Sequence, residues 1–271
     1  MEFIINILKG MVIGISNIIP GVSGGTMAVV LGIYDKLIST INGFFKDVKK
    51  NSIFLGAIGI GAGLGIILFS KLLNFLLTAE NGYMEATHFF FIGLIVGSLP
   101  IIYNKATEKK VDKKNYIFLI VAFIIVFGMS LMGDAESSAK IIREFSMGTA
   151  IKLCIAGFVA AAAMILPGVS GSFILLLMGI YSTVITAVSE MNIMLLIPVA
   201  IGVVLGILTM TKLIEALFKR YPQTAYFTIL GLILGSIIAI YPGSFGGNMI
   251  VSIICGLVGF GIAFMLGKKE A

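Results

Sequence analysis

Pro20-Gly21-Val22-Ser23-Gly24 returns as Pro167-Gly168-Val169-Ser170-Gly171, each copy inside a long apolar stretch. Proline ends one helix and removes a backbone donor, while glycine admits backbone shapes closed to other residues. Ser23 and Thr26 can then cap or ligate at the start of the helix that follows. Unpaired N–H groups at such a start carry about half a positive charge and point into the gap. That chemistry suits an anion, and two facing starts suit a phosphate. Inside a membrane, a Pro-Gly break frees backbone groups that lipid cannot satisfy, so it persists only where protein or a polar cavity takes them up. Matching breaks in two halves of a chain point to a transporter's binding site. The candidate substrate-binding set is Asn17, Pro20, Gly21, Ser23, Gly24, Gly25 and Thr26, with Pro167, Gly168, Ser170, Gly171 and Ser172.

The remaining polar residues offer less. Lys71 and Lys212 recur near the ends of equivalent segments, where a lysine snorkels to the interface or attracts an anionic headgroup at the mouth of a pathway. Glu215, one turn from Lys212, is placed to pair with it. His88 has no second histidine to share a metal and reads as interfacial, while Tyr34 and Tyr181 read as interfacial or packing residues. Cys154 and Cys255 are free thiols in apolar segments without metal spacing. An intramembrane phosphatase or transferase needs a nucleophile and an acid or base; with one His and no visible base for Ser23 or Ser170, the chain reads as a non-enzyme. No cofactor and no metal site is expected.

The elements that must position these residues follow from composition. Of 271 residues, 59% are hydrophobic and 12% charged, with a mean hydropathy of +1.11. Soluble domains carry about 25% charged residues. The apolar residues form runs of roughly 17–25, the length of a membrane-crossing helix. The expected fold is all-α and polytopic, without strands or a separate soluble domain. The net charge of +6 is no nucleic-acid footprint, because the lysines lie in short loops between spans. The first 19 residues lack a basic start and a small-residue cleavage site, so they are expected to be retained rather than removed as a signal peptide.

Ten apolar segments divide five and five: Phe3–Ile19, Val22–Ile41, Ile53–Leu77, Phe89–Tyr103 and Tyr116–Met132, then Met147–Leu166, Val169–Val188, Ile193–Leu217, Ala225–Tyr241 and Met249–Leu266. The halves, 1–133 and 134–271, match throughout. From Gly10 to Tyr34 the second copy lies at an offset of 147 with 11 identities in 25 positions. Leu64-Gly65 and Lys71 recur at offset 141, Gly93 to Ser98 at 138, and Phe127-Gly128 at 133. An odd number of segments per half predicts inverted-topology repeats. Each half is expected to open with a Pro/Gly-broken or re-entrant helical hairpin, with residues 20–26 and 167–172 as non-helical breaks. Lys46, Lys49, Lys50, Lys105, Lys109, Lys110, Lys113, Lys114, Lys219, Arg220, Lys268 and Lys269 fall on one side by alternation. Both termini are therefore predicted to be cytoplasmic.

Asn17-x-x-Pro20-Gly21-Val22-Ser23-Gly24-Gly25-Thr26 followed by Gly32-Ile33-Tyr34, with the second phrase Pro167 to Ser172 and Gly179-Ile180-Tyr181, resembles a bacterial membrane family once catalogued as a domain of unknown function and now assigned to undecaprenyl-phosphate translocation. The resemblance covers essentially the whole chain. It implies a flippase of the bacterial plasma membrane that returns undecaprenyl phosphate, the lipid carrier of cell-wall synthesis, from the outer to the cytoplasmic leaflet. Polyprenyl phosphate and membrane lipids would be its partners; nothing in the sequence sets an oligomeric state. The second half departs from the first, with Met164 for Asn17 and Ser172-Phe173 for Gly25-Thr26. Inward return of one negative charge opposes the membrane potential by about 2.3 kcal/mol per 100 mV, which H⁺ or Na⁺ co-transport would offset. An ion-coupled carrier of a small soluble anion is the alternative, and a lipid-modifying enzyme the remote one.

Overall fold

A computed structural model describes residues 2–17, 22–77, 83–108, 110–131, 141–241 and 249–268. These form twelve α-helices and a short 3₁₀ turn at Phe44–Lys46, with no strand among them. The first half holds α1 (Glu2–Ser16), α2 (Gly24–Val30), α3 (Tyr34–Asn42), α4 (Val48–Leu77), α5 (Met84–Thr107) and α6 (Asn115–Leu131). The second repeats the order: α7 (Met147–Ile165), α8 (Gly171–Leu177), α9 (Tyr181–Ser189), α10 (Ile193–Arg220), α11 (Pro222–Ile240) and α12 (Met249–Lys268). Among the described residues α4, α5, α7 and α10 are long and apolar enough to cross a membrane, and α6, α11 and α12 are shorter apolar helices. Helix α6 buries Asn115, Ala122 and Val126 while leaving Ile117, Phe118, Ile120, Val121, Ile124 and Ile125 exposed. Such a continuous apolar face has no place in water and belongs against lipid. The chain is a polytopic helical membrane protein.

Small residues set the packing. Gly10 and Gly14 on α1 lie against the backbone of Ile58 and Ala62 on α4, and Gly61 and Gly65 on α4 lie against Ile7 and Met11 on α1. A Cβ on Gly61 would fall 2.9 Å from the Ile7 carbonyl carbon, so only glycine permits the approach. The α7–α10 pair repeats it in register, Gly157 against Val199, Gly202 against Cys154 and Gly206 against Phe158. These are the positions that the sequence offsets of 147 and 141 equate. Among the described residues, the last two helices of each half find their main partners in the other half. Helix α5 packs along α12, and α11 along α6, so each half completes the other.

Two expectations need correction. The segments 22–41 and 169–188 are not single helices, because each bends at a second glycine. Gly32 and Gly179 both hold φ at +67°, and Ile33 N–H and Ile180 N–H reach back to Ala28 O and Leu175 O at 2.9 Å. This is a Schellman stop, which glycine accepts without Cβ strain. In the second half α8 and α9 meet at 113°. At 1.5 Å per residue α2 and α3 are about 10 and 14 Å long, well short of about 30 Å of hydrocarbon. The first breaks are also shorter than expected: helix resumes at Gly24 and Gly171, leaving Val22-Ser23 and 167–170 non-helical. Pro20 and Gly21 lie outside the described residues. The centre of the molecule is built around the short pair, where Met27 and Ile38 are fully buried with Ile95 of α5 and Phe227 and Ile233 of α11.

Candidate functional site

The second Pro-Gly break meets the short helices that follow the first. Pro167 lacks an N–H and stops α7, so the last carbonyls of that helix lose their helical partners. The first half supplies replacements. Tyr34 Oη, at the start of α3, donates to Ile165 O at 3.0 Å. Gly168 N–H, held in a backbone with φ +82°, donates to Thr26 Oγ1 at 2.7 Å. Between these bonds Gly25 faces the carbonyls of Met164, Ile165 and Leu166, where a Cβ would sit 3.1, 3.2 and 3.4 Å away. Thr26 is buried, as is Tyr34, which packs in the core as one of the two readings of this tyrosine expected. Its ring packs edge-on against Phe218, but its hydroxyl does polar work at the break.

The first copy is the drier one. Ser23 has extended backbone (φ −103°, ψ 137°) at the cap position of α2, yet its hydroxyl makes no capping bond. It is 3% exposed, and its Oγ is buried with no hydrogen-bond partner among the described residues. A buried hydroxyl without a partner carries an uncompensated desolvation cost of about 1–3 kcal/mol, so its presence calls for a functional reason. The neighbouring donor, Gly24 N–H, is taken by Asn17 Oδ1 at 3.2 Å, and a Cβ on Gly24 would lie 2.9 Å from that same oxygen. The second copy is arranged differently. Ser170 Oγ is 2.8 Å from Ser172 Oγ, Ser172 is exposed, and Gly171 packs against Ala160 O, 2.8 Å from where its Cβ would be. Met164, in the place of Asn17, has no acceptor to offer. The substitutions in the second phrase thus coincide with an open, self-paired serine site.

Of the two lysines singled out in the sequence, Lys212 is exposed on α10 and the Lys71 side chain lies outside the described residues. Glu215 does not meet Lys212. It pairs with Lys219 one turn further on, at 2.6 Å, and accepts from Asn42 Nδ2 at 2.7 Å, tying α10 to α3. His88, in the second turn of α5, is buried against protein, with Nδ1 2.7 Å from Met84 O of its own helix. Other polar groups near the breaks escape a sequence reading. Lys9, in the middle of α1, donates to Leu31 O at 3.0 Å, at the negative end of α2. Asp35 accepts from Tyr226 Oη at 3.1 Å and lies 3.8 Å from Lys105 Nζ. Asp35, Lys105 and Tyr226, with Val29, Gly32, Tyr34, Ile101, Ile102 and Ile229, line a small, partly open pocket of about 40 Å³. The recurrence of Gly32-Ile33-Tyr34 as Gly179-Ile180-Tyr181 was the one sequence signal for this second bend.

Residues 13–252 match the model of a family described as undecaprenyl phosphate translocase-like. Among curated proteins the chain is similar to the polyprenyl-phosphate transporter of Staphylococcus aureus, 36% identical over 98% of this chain and 97% of that one. It is also similar to the polyprenyl-phosphate transporter of Vibrio cholerae, 31% identical over 89% of this chain and 79% of that one. A shorter match, 31% over 68 residues, reaches 13% of human monocarboxylate transporter 10 and is too local to carry an argument. No solved structure matches the chain.

Proposed function

We propose, for a chain that belongs to the undecaprenyl phosphate translocase-like family, that it moves a polyprenyl phosphate across the bacterial plasma membrane, from the outer to the cytoplasmic leaflet. The observation that carries this reading is the bond from the second break to Thr26 of α2, three residues past a buried Ser23 hydroxyl that has no partner among the described residues. Only the headgroup needs shielding from about 30 Å of hydrocarbon, since an isoprenoid tail is at home in lipid. A small polar centre reached between helices is enough for that. In this reading Ser23, Thr26 and the backbone of Gly24 and Gly25, with Asn17, Pro20 and Gly21, meet the phosphate from one side. Pro167, Gly168, Ser170, Gly171 and Ser172 meet it from the other. The Thr26–Gly168 and Tyr34–Ile165 bonds are the closed form of a passage that the headgroup parts. Lys212, exposed on α10, would draw headgroups at the surface, as Lys71 would at the other mouth.

The finer parts of the proposal rest on the duplication. The packing shared by α1–α4 and α7–α10 supports two repeats, 1–133 and 134–271, and the odd segment count makes them inverted. Under the positive-inside rule both termini are cytoplasmic. Coupling to H⁺ or Na⁺ would offset the potential that opposes inward movement of negative charge. The test is translocation of a short-chain polyprenyl phosphate in proteoliposomes, with and without imposed H⁺ and Na⁺ gradients. Gradient-dependent loss of the lipid from the outer leaflet is expected with the wild type and not with Gly24→Val. Equal rates in protein-free vesicles, or transport of soluble phosphate alone, overturn the proposal.

A further inference from the structure

The pocket beside the bend of α2 and α3 makes no contact with Ser23, yet it concentrates the charge found near the centre of the fold. Two donors on different helices converge on one oxygen. Tyr226 Oη on α11 and Lys105 Nζ on α5 lie 3.1 and 3.8 Å from Asp35 Oδ2, and the Lys105 ammonium also stands 5.9 Å from the centre of the Tyr226 ring. The Lys105–Asp35 contact is longer than a hydrogen bond, and both side chains are nearly half exposed, at 46% and 48%. Exposed ion pairs of this kind are weak, so a stronger anion can replace the carboxylate at little cost. The helix that carries Tyr226 is anchored near this residue, because Asn115 Nδ2 donates to Gln223 Oε1 at 2.6 Å and Thr224 Oγ1 donates to Asn115 Oδ1 at 2.7 Å, clamping the base of α6 to the base of α11.

The walls and the setting define the ligand. Behind the donors the pocket is lined by Val29, Ile101, Ile102 and Ile229, which suit hydrocarbon. Tyr34 also lines it, and the hydroxyl of this residue bonds Ile165 O, the last residue of α7 before the break. Lys105 lies near the end of α5 and Tyr226 near the start of α11, and the chain segments that adjoin these two ends carry Lys110, Lys113, Lys114, Lys219 and Arg220. Those segments attract anions over a distance of about one Debye length. The equivalent place in the other half has no such charges: the sequence offsets put Ser182, Gly243 and His88 where Asp35, Lys105 and Tyr226 stand.

We propose that this pocket is a one-sided docking station for a phosphate monoester headgroup, in which Asp35 Oδ2 holds the place of a phosphate oxygen on Lys105 and Tyr226 until the headgroup displaces it. The inference rests on the function proposed above and adds a site and a sidedness to it. Arrival of the phosphate turns the Asp35 carboxylate out to water. The chain of contacts then runs from Lys105 past Tyr34 to the breaks.

The experiment measures binding of farnesyl phosphate to the purified full-length protein in nanodiscs, with farnesol and inorganic phosphate as the other arms. Lys105→Met is expected to weaken farnesyl phosphate binding about tenfold or more, as for loss of a charged hydrogen-bonding partner, and Tyr226→Phe by about threefold. Asp35→Asn removes the competitor and is expected to tighten binding by about threefold to tenfold. Retention of binding by Lys105→Arg, with unchanged melting temperature, shows that the losses are not misfolding. Binding unchanged in Lys105→Met, or weakened in Asp35→Asn, overturns the station and makes the trio a structural clasp. Inorganic phosphate that displaces farnesyl phosphate at similar concentrations, or farnesol that binds as well, overturns the lipid-headgroup assignment. A wild-type protein that neither binds farnesyl phosphate nor translocates it overturns the function itself. One that does both, with sensitivity to Ser23→Ala but not to Lys105→Met, overturns the station alone.

Discussion

Thr26→Val tests the contact between the second break and α2 most directly. The change is nearly isosteric, so it opens no cavity, and Thr26 is only 1% exposed, so water cannot take over the lost role. What disappears is the acceptor, 2.7 Å away, for Gly168 N–H. A buried donor stripped of its partner costs about 1–3 kcal/mol. For chains somewhat smaller than this one, each kcal/mol lowers the melting temperature by about 2–4 °C, so a fall of roughly 2–12 °C is expected. The assay is a thermal scan of the purified protein in detergent at one fixed scan rate, since unfolding of this kind is often irreversible. Thr26→Ser keeps the oxygen and should melt close to wild type. Tyr34→Phe removes the second bond to the same segment, at Ile165 O, and should be non-additive with Thr26→Val by about 0.5 kcal/mol or more. A Thr26→Val protein that melts with the wild type refutes the idea that this bond joins the second break to α2.

Three other outcomes follow from the same geometry. Ser23→Ala should leave the melting temperature unchanged or slightly raised, since it deletes a buried hydroxyl without a partner among the described residues, and should weaken polyprenyl phosphate binding about tenfold to a hundredfold in a titration. Along α4, Gly61→Ala and Gly65→Ala should destabilise by about 1–3 kcal/mol because their faces meet the α1 backbone, whereas Gly59→Ala and Gly63→Ala, with nothing within 4 Å, should be neutral or stabilising by up to about 1 kcal/mol in the same scans. A reporter fused after Ala271 should be active only in the cytoplasm, and loop 104–115 should react with a thiol reagent only from that side once a cysteine is placed there.

Much of this structure is legible in the sequence. The apolar runs locate the long helices within a few residues, because a helix in lipid must satisfy its own backbone and cannot end gradually. The duplicated Pro-Gly phrase marks the two breaks, and the shared offsets anticipate the matched packing of α1–α4 and α7–α10. The bends at Gly32 and Gly179 are harder to see, since hydropathy runs straight through them and only the positive φ distinguishes these glycines from those that pack helices together. The roles of Tyr34, Lys9 and Asp35 were out of reach for another reason: each partner is 22 or more residues away, on a different helix. Glu215 misleads because Lys212 and Lys219 both lie within one turn of it, and spacing alone does not choose between them.

The exchange of partners between α5, α6, α11 and α12 sets an order of events during synthesis. Helix α5 emerges with Gly93 and Gly97 turned towards a neighbour, α12, that is encoded roughly 140 residues later. At about 5–20 residues per second the ribosome needs roughly 7–30 s to deliver it. During that interval a helix holding Pro100 and a buried His88 stands in the bilayer without its mate. A half-chain ending after α6 would carry two such uncovered surfaces, and a second copy of itself is the obvious object to cover them.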